Sequence, residues 1–155
     1  MPDQPPARGS LQRPPEVITL LAFDYGARRI GVAVGNTLVR AAHAVGTIEG
    51  ERKDDRFAAI GALIAQWQPA KLVVGLPVHA DGSEHALTGR ARCFARQLGT
   101  RFGLPIEWVD ERYTTIEAKA RLAGQGGGRR QRSYQDAVAA QIILQAYFDE
   151  APVVA

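Results

Sequence analysis

The chain has 155 residues, of which 46% are hydrophobic and 23% are charged, a composition typical of one globular domain with a sizeable core. No apolar run approaches the ~18 residues that a membrane-spanning helix needs, and a single cysteine excludes an internal disulfide. Sixteen of the nineteen basic residues are arginine, whose planar guanidinium pairs with phosphate, so nucleic acid is a reasonable partner. The N-terminal residues lack a secretory signal pattern, and we expect a cytoplasmic protein.

The chain opens with a proline-rich segment and then turns apolar. Residues 1–16 carry five of the nine prolines, which is typical of a disordered tail, and residues 17–150 are predicted to form the folded domain. Residues 18–23 are continuously apolar and predict a strand that is buried on both faces. Residues 30–34 predict a second strand, and the short connection between the two indicates an antiparallel hairpin.

The later segments alternate between helical and strand patterns. In chain order they predict a strand within 41–48, a helix over 54–68, a strand over 71–76, a helix over 84–102, a strand over 106–110, a helix opening at Thr114, a mobile glycine-rich loop over 124–133 and a last helix over 133–149. Strands joined by short connections should be antiparallel, and strands separated by helices should be parallel. The predicted fold is therefore an α/β mixed five-stranded sheet with helices on its faces. Cys93 lies within the second predicted helix and is expected to face the core.

Acidic residues occur where strands end. Asp24 closes the first strand, and Asp110 and Glu111 close the fifth, at the edge where α/β proteins build their sites. Asp136 shares a helical stripe with residues that should pack on the sheet. Taken singly, each acid is also compatible with a turn or a helix N-terminus. If the fourth strand lies between the first and fifth, their ends are about 9–10 Å apart, and two carboxylates could hold two cations ~4 Å apart.

Four segments resemble a known family. FDYGARRIGVAVG, VVGLPVHADGSE, VDERYTT and DAVAAQIIL are similar, in that order, to the motifs of the YqgF/RuvX family. That family is described as pre-16S rRNA nucleases and as Holliday-junction-resolvase-like proteins. The resemblance covers about residues 19–149. It implies an RNase H-like fold with strand order 3-2-1-4-5, and a nuclease that hydrolyses phosphodiester bonds in 5′-end processing of pre-16S rRNA during ribosome biogenesis.

The resemblance also implies the catalytic and metal-binding set, which is Asp24, Glu111 and Asp136. Carboxylate ligands suit Mg²⁺ or Mn²⁺, and by hypothesis Asp24 bridges two ions while Glu111 and Asp136 each bind one. Strand alternation leaves Asp110 and Glu111 as alternatives, and the resemblance favours Glu111. Arg112 is expected to orient a carboxylate or to contact phosphate.

Three arginines in the predicted loop, Arg129, Arg130 and Arg132, are candidate nucleic-acid contacts. If this loop binds nucleic acid, the arginines would contribute salt-dependent phosphate contacts. The alternative is that the loop is a solvated linker. The family more often has asparagine at the position that His79 occupies in this chain. This difference weakens the case that His79 has a role shared with the family.

Other functions stay open at this point. An ATP-binding protein of the actin and sugar-kinase type shares the sheet and the Asp-x-Gly hairpin, but it needs two such domains. A branched-DNA resolvase, which would act as a homodimer, is an alternative to an rRNA nuclease. A non-catalytic RNA-binding ribosome-assembly factor is a third alternative, which need not bind two divalent ions.

Overall fold

The computed structural model describes residues 16–78, 81, 83, 84, 86–111 and 129–150, the last range without the side chains of 129–132. The strands are β1 (Thr19–Tyr25), β2 (Arg29–Asn36), β3 (His43–Glu49), β4 (Lys71–Leu76) and β5 (Ile106–Asp110). The helices are α1 (Lys53–Trp67), α2 (Ala86–Phe102) and α3 (Arg129–Glu150). None of the helices in the described ranges is long and apolar enough to cross a membrane.

The five strands form one sheet in the order β3-β2-β1-β4-β5. β1 is antiparallel to β2, and β2 is antiparallel to β3, because short connections join them. β4 is parallel to both β1 and β5, because each is reached through a helix. The predicted mixed sheet, its strand order and its strand directions are confirmed.

The first face of the sheet is covered by α1 and α2. Alternate residues of the strands point to this face, among them Phe23 and Val74, and pack against Phe57 and Phe94 of the two helices. The ring of Phe94 lies 6.1 Å from that of Phe23 and 4.9 Å from that of Tyr25, measured between centroids. This face carries the larger, aromatic part of the core.

Of the helices that the structure describes, α3 covers the second face of the sheet. Its core includes Ala22, Ala33 and Phe148. Beyond Arg29, the residues of β2 that point to this face are small, and a Cβ added at Gly35 would lie 2.7 Å from the Phe148 ring. A Cβ added at Gly31 would lie 1.9 Å from the backbone oxygen of Asp136. The missing side chains therefore let α3 lie directly against the sheet.

Two of the sequence predictions are wrong. Residues 129–133 do not belong to a loop, because α3 begins at Arg129 and includes them. Cys93 is exposed, because Ala91, Phe94 and Ala95 take the inward positions of α2. The helix predicted from Thr114, residues 124–128 of the predicted loop and residues 1–15 of the tail lie outside the described residues, so the proposed domain boundaries stay predictions.

Candidate active site

A partly buried acid, Asp24, and a buried acid, Glu111, meet at the carboxyl-terminal edge of the parallel strands. Asp24 lies near the end of β1, and Glu111 directly follows β5, with β4 between them. Asp24 alternates with Ala22, and Glu111 alternates with Val109, so both side chains point to the face that α3 covers. The two side chains are joined by a hydrogen bond across the end of β4, and only 6% of Glu111 is exposed.

Gly75 of β4 makes this meeting possible. A Cβ added at Gly75 would lie 2.8 Å from Cδ of Glu111 and 2.4 Å from Cδ1 of Ile143. Both distances are shorter than any normal carbon contact. The absence of a side chain at this point of the central strand therefore leaves the space through which Glu111 reaches toward Asp24.

The environment of the pair favours protonated carboxyls. Burial, together with the charge of Asp136, raises the pKa of Asp24 to about 6. Burial, the charge of Asp24 and the hydrogen bond between them raise the pKa of Glu111 to about 9, and Asp110 adds to this. The hydrogen bond raises the pKa of Glu111 and lowers that of Asp24. The pKa values rise because two carboxyls in contact cannot both be ionised at low cost.

Asp136 completes the acidic edge from the opposite side. It lies in α3 above Gly31, and Gly31 is the residue of β2 that pairs with Asp24. Its Oδ2 accepts a hydrogen bond from Nε of Arg29 at 2.5 Å. Among the described residues, the acids do not form a group of three spaced to hold a metal ion. Asp24 and Glu111 are thus in contact, whereas Asp136 lies close by and is bound to Arg29.

The structure distinguishes the two acids that end the fifth strand. Asp110 is exposed and alternates toward the opposite face from Val109, whereas Glu111 is buried against Asp24. The geometry therefore makes Glu111, and not Asp110, the partner of Asp24. Of the other predicted contacts, Arg112 and the side chains of Arg129, Arg130 and Arg132 lie outside the described residues.

Residues that the sequence did not single out also shape this edge. Arg56 of α1 donates from Nη1 to the backbone oxygens of Gly26 and Ala27, each at 3.1 Å, and its guanidinium lies 5.5 Å from the centre of the Tyr25 ring. It holds the turn that follows Asp24. Arg29 reaches Asp136 from the same turn region. The run Arg28-Arg29, which begins four residues after Asp24, is the sequence signal for the contact between Arg29 and Asp136.

The donor set fits a hard divalent cation. Its oxygens come from Asp24 and Glu111, with Asp136 close enough to act on the charge of Asp24. Carboxylate oxygens are the ligands that Mg²⁺ and Mn²⁺ prefer. A cation between the two carboxyls would offset the cost of holding two negative charges away from solvent.

An RNase H-like α/β domain with an acidic centre at the carboxyl ends of its parallel strands is the class that this fold and site define. Thermus thermophilus RuvC, solved in complex with a Holliday junction substrate, has a similar fold with a TM-score of 0.54 and 17% identity, covering 85% of this chain and 94% of that one. The sequence profile of the family described as "RuvX: Holliday junction resolvase" matches residues 18–150, and the chain belongs to this family.

Close relatives of the chain carry one name. A Burkholderia vietnamiensis protein named "Putative pre-16S rRNA nuclease" is 53% identical over 133 residues, which is 85% of this chain and 89% of the relative. A Burkholderia multivorans protein of the same name is 51% identical over the same length. The family expected from the sequence motifs is confirmed.

Proposed function

We propose that this protein is a metal-dependent nuclease that hydrolyses phosphodiester bonds in 5′-end processing of pre-16S rRNA, in the cytoplasm, during ribosome biogenesis. The observation that carries the proposal is the buried contact between Asp24 and Glu111 at the carboxyl edge of the sheet, with Asp136 beside it. Membership of the RuvX family and the names of the relatives support this activity and this substrate.

Asp24, Glu111 and Asp136 are the residues that would hold Mg²⁺ or Mn²⁺. Bound divalent ions would supply an activated water and stabilise the leaving oxygen of the phosphodiester. The strands contribute rigidity, because Asp24 belongs to a central strand that is paired on both sides. Glu111 has to give up its proton before it can act as a ligand, so cation binding should release protons and should strengthen as the pH rises.

The nucleic acid would approach the same edge. Arg28 precedes β2, Arg29 is the first residue of β2, and α3 begins with a further group of arginines. We propose that Arg112, Arg129, Arg130 and Arg132 contact backbone phosphates, which would give the binding a steep dependence on salt.

A second candidate function is the resolution of branched DNA. The description of the family and the similar fold of RuvC favour it. A resolvase would have to act on a two-fold junction as a homodimer, which predicts two subunits bound to each junction.

A cleavage assay separates these functions. The substrates are a 16S rRNA precursor with its 5′ extension, a four-way DNA junction and plain single strands, each with Mg²⁺ or Mn²⁺. Asp24→Asn should lower kcat by at least about 100-fold, because it removes the central ligand charge at nearly constant size. Asp55→Asn makes the same chemical change in the exposed first turn of α1 and should leave cleavage unchanged.

The outcomes differ for the three functions. Cleavage of the rRNA precursor that is lost in Asp24→Asn supports the rRNA nuclease, and cleavage of the junction alone supports the resolvase. Equal cleavage by Asp24→Asn and wild type would contradict both nuclease proposals. No cleavage of any substrate, together with RNA binding that is independent of metal, would support a non-catalytic assembly factor.

A further inference from the structure

An ion pair closes the acidic edge on the side of α3. Nε of Arg29 lies 2.5 Å from Oδ2 of Asp136, and about one third of the arginine side chain and one quarter of the aspartate side chain are exposed, at 34% and 23%. Arg29 is the first residue of β2, so the pair ties the sheet to a helix that is 107 residues away in the chain. The pair is short and charge-assisted, which makes it stronger than a neutral hydrogen bond.

The backbone of Asp136 is fixed with respect to the sheet. Its backbone oxygen lies directly over Gly31, where a Cβ would come within 1.9 Å of it. One turn earlier, Oγ1 of Thr47 donates to the backbone oxygen of Ser133 at 2.5 Å. Asp136 therefore has little freedom to move away from Arg29 with its helix. A change of partner at its carboxylate has to come from rotation of the two side chains.

Each acid of the edge has a partner within the protein. The side chains of Glu111 and Asp24 are joined by a hydrogen bond, and Asp136 is paired with the guanidinium of Arg29. A divalent cation bound by Asp136 would lie within a few ångströms of that guanidinium. Two like charges at such a distance repel each other strongly at a partly buried site. The cation and Arg29 therefore compete for Asp136.

We propose that Arg29 is an internal counter-ion that occupies Asp136 in the metal-free protein and is displaced when a divalent cation binds. This inference rests on the proposed function, in which Asp24, Glu111 and Asp136 hold the cation. Its consequence is that the protein binds the cation more weakly than its acids alone would. Arg29 is a positioning residue, because it acts through Asp136.

Mn²⁺ binding to the whole chain tests the proposal directly. Binding isotherms are measured by titration calorimetry for wild type, Arg29→Gln and Arg28→Gln. Arg29→Gln should bind Mn²⁺ about threefold to tenfold more tightly, because it removes the competitor of the cation. Arg28→Gln removes the same charge from the exposed neighbouring position and should change the affinity by less than about twofold. The difference between the two variants isolates the ion pair from the general effect of charge.

A second measurement follows the ion pair without metal. In the presence of a chelator, urea unfolding of wild type, Arg29→Gln, Asp136→Asn and the double variant forms a mutant cycle. Arg29→Gln should destabilise the wild type and should have no effect when Asp136 is already asparagine. Should Arg29→Gln not fold, Arg29→Lys replaces it. Lysine lacks the Nε donor that pairs with Asp136, so the Arg29→Lys protein should bind Mn²⁺ more tightly than wild type.

The results separate failure of this inference from failure of the proposed function. If Asp24→Asn weakens Mn²⁺ binding but Arg29→Gln binds no more tightly than Arg28→Gln, the counter-ion inference is overturned and the metal site stands. Wild type that binds no Mn²⁺, or that binds it no better than Asp24→Asn does, would overturn both.

Discussion

The two faces of the sheet are built from the same strands but differ in side-chain size. The face under α1 and α2 is lined by large residues, including Phe23, Ile30 and Val74. The face under α3 has Ala22 and Ala33 at its centre and glycine at three positions, which are Gly31, Gly35 and Gly75. One face has the dense aromatic packing of an ordinary core. On the face under α3, the small residues leave space for the close approach of the helix and for the two acids that point inward.

This difference shows how one sheet serves stability and chemistry together. Because side chains alternate along a strand, neighbouring residues serve different purposes, as Phe23 and Asp24 do. The large residues on the first face supply burial, which stabilises the fold. The small residues on the second face allow the backbone of α3 to approach and Glu111 to cross β4. The acidic edge therefore lies on the face whose small side chains leave room for it.

The largest expected effect compares the two neighbours in β1. Phe23→Ala should lower the free energy of unfolding by about 3–5 kcal/mol, because it leaves a cavity among the aromatic residues of the first face. Asp24→Asn should leave the stability of the metal-free protein within about 1 kcal/mol of wild type or raise it, because it removes a carboxyl that burial disfavours. Urea unfolding in the presence of a chelator measures both.

Reversed results would contradict the idea that the first face supplies stability and the second face supplies the acidic site. A loss of several kcal/mol in Asp24→Asn would mean that the acid supports the fold. A loss below about 1 kcal/mol in Phe23→Ala would mean that the first face can collapse around the cavity.

A smaller effect is expected from adding a methyl group on the second face. Gly31→Ala should lower the free energy of unfolding by at least about 1–3 kcal/mol. The added Cβ clashes with the backbone oxygen of Asp136, and no side-chain rotation can relieve this clash. The shift of α3 should also lower cleavage by at least about tenfold, because Asp136 moves away from the other acids. Urea unfolding and the cleavage assay measure the two effects.

The matched control is Gly89→Ala in the exposed part of α2, where nothing lies within 4 Å of an added Cβ. This change should raise stability by about 0.5–1 kcal/mol, because alanine favours a helix over glycine. Gly31→Ala that behaves like Gly89→Ala would show that α3 does not depend on the small residues for its position.

Much of this arrangement could be predicted from the sequence. The apolar runs over 18–23 and 71–76 predicted the central strands, and the lengths of the connections predicted their directions. Asp24 and the pair Asp110-Glu111 were predicted at one edge because the carboxyl ends of parallel strands lie together. The strand order came only from the family motifs, since local patterns do not determine which parallel strands are neighbours.

The rest depended on tertiary contacts that no local pattern reports. Helical spacing did not show which side of α2 faces the sheet, so Cys93 was wrongly placed in the core. The glycines before α3 suggested a loop, yet helix begins at Arg129, within that predicted loop. The ion pair between Arg29 and Asp136 joins residues 107 positions apart, and only the folded chain brings them together.

The acids of the second face also predict that stability depends on pH. Burial raises the pKa of Glu111 from 4.5 to about 9 and that of Asp24 from 3.8 to about 6. Between the unfolded and folded pKa values the folded protein holds more protons than the unfolded chain, so its stability falls as the pH rises. Metal-free protein should lose at least about 1 kcal/mol of unfolding free energy from pH 5 to pH 8.

Glu111→Gln should remove most of this slope, because glutamine keeps the shape of the side chain and has no proton to lose. Glu51→Gln makes the same change at an exposed position and should leave the slope as it is in wild type. Urea unfolding at a series of pH values with a chelator gives both slopes. Saturating Mn²⁺ should reverse the trend in wild type, because the cation replaces the proton and binds more tightly as the pair ionises. A wild-type slope equal to that of Glu111→Gln would mean that the pKa of Glu111 is not raised in solution, and the second face would then differ from the first only in packing.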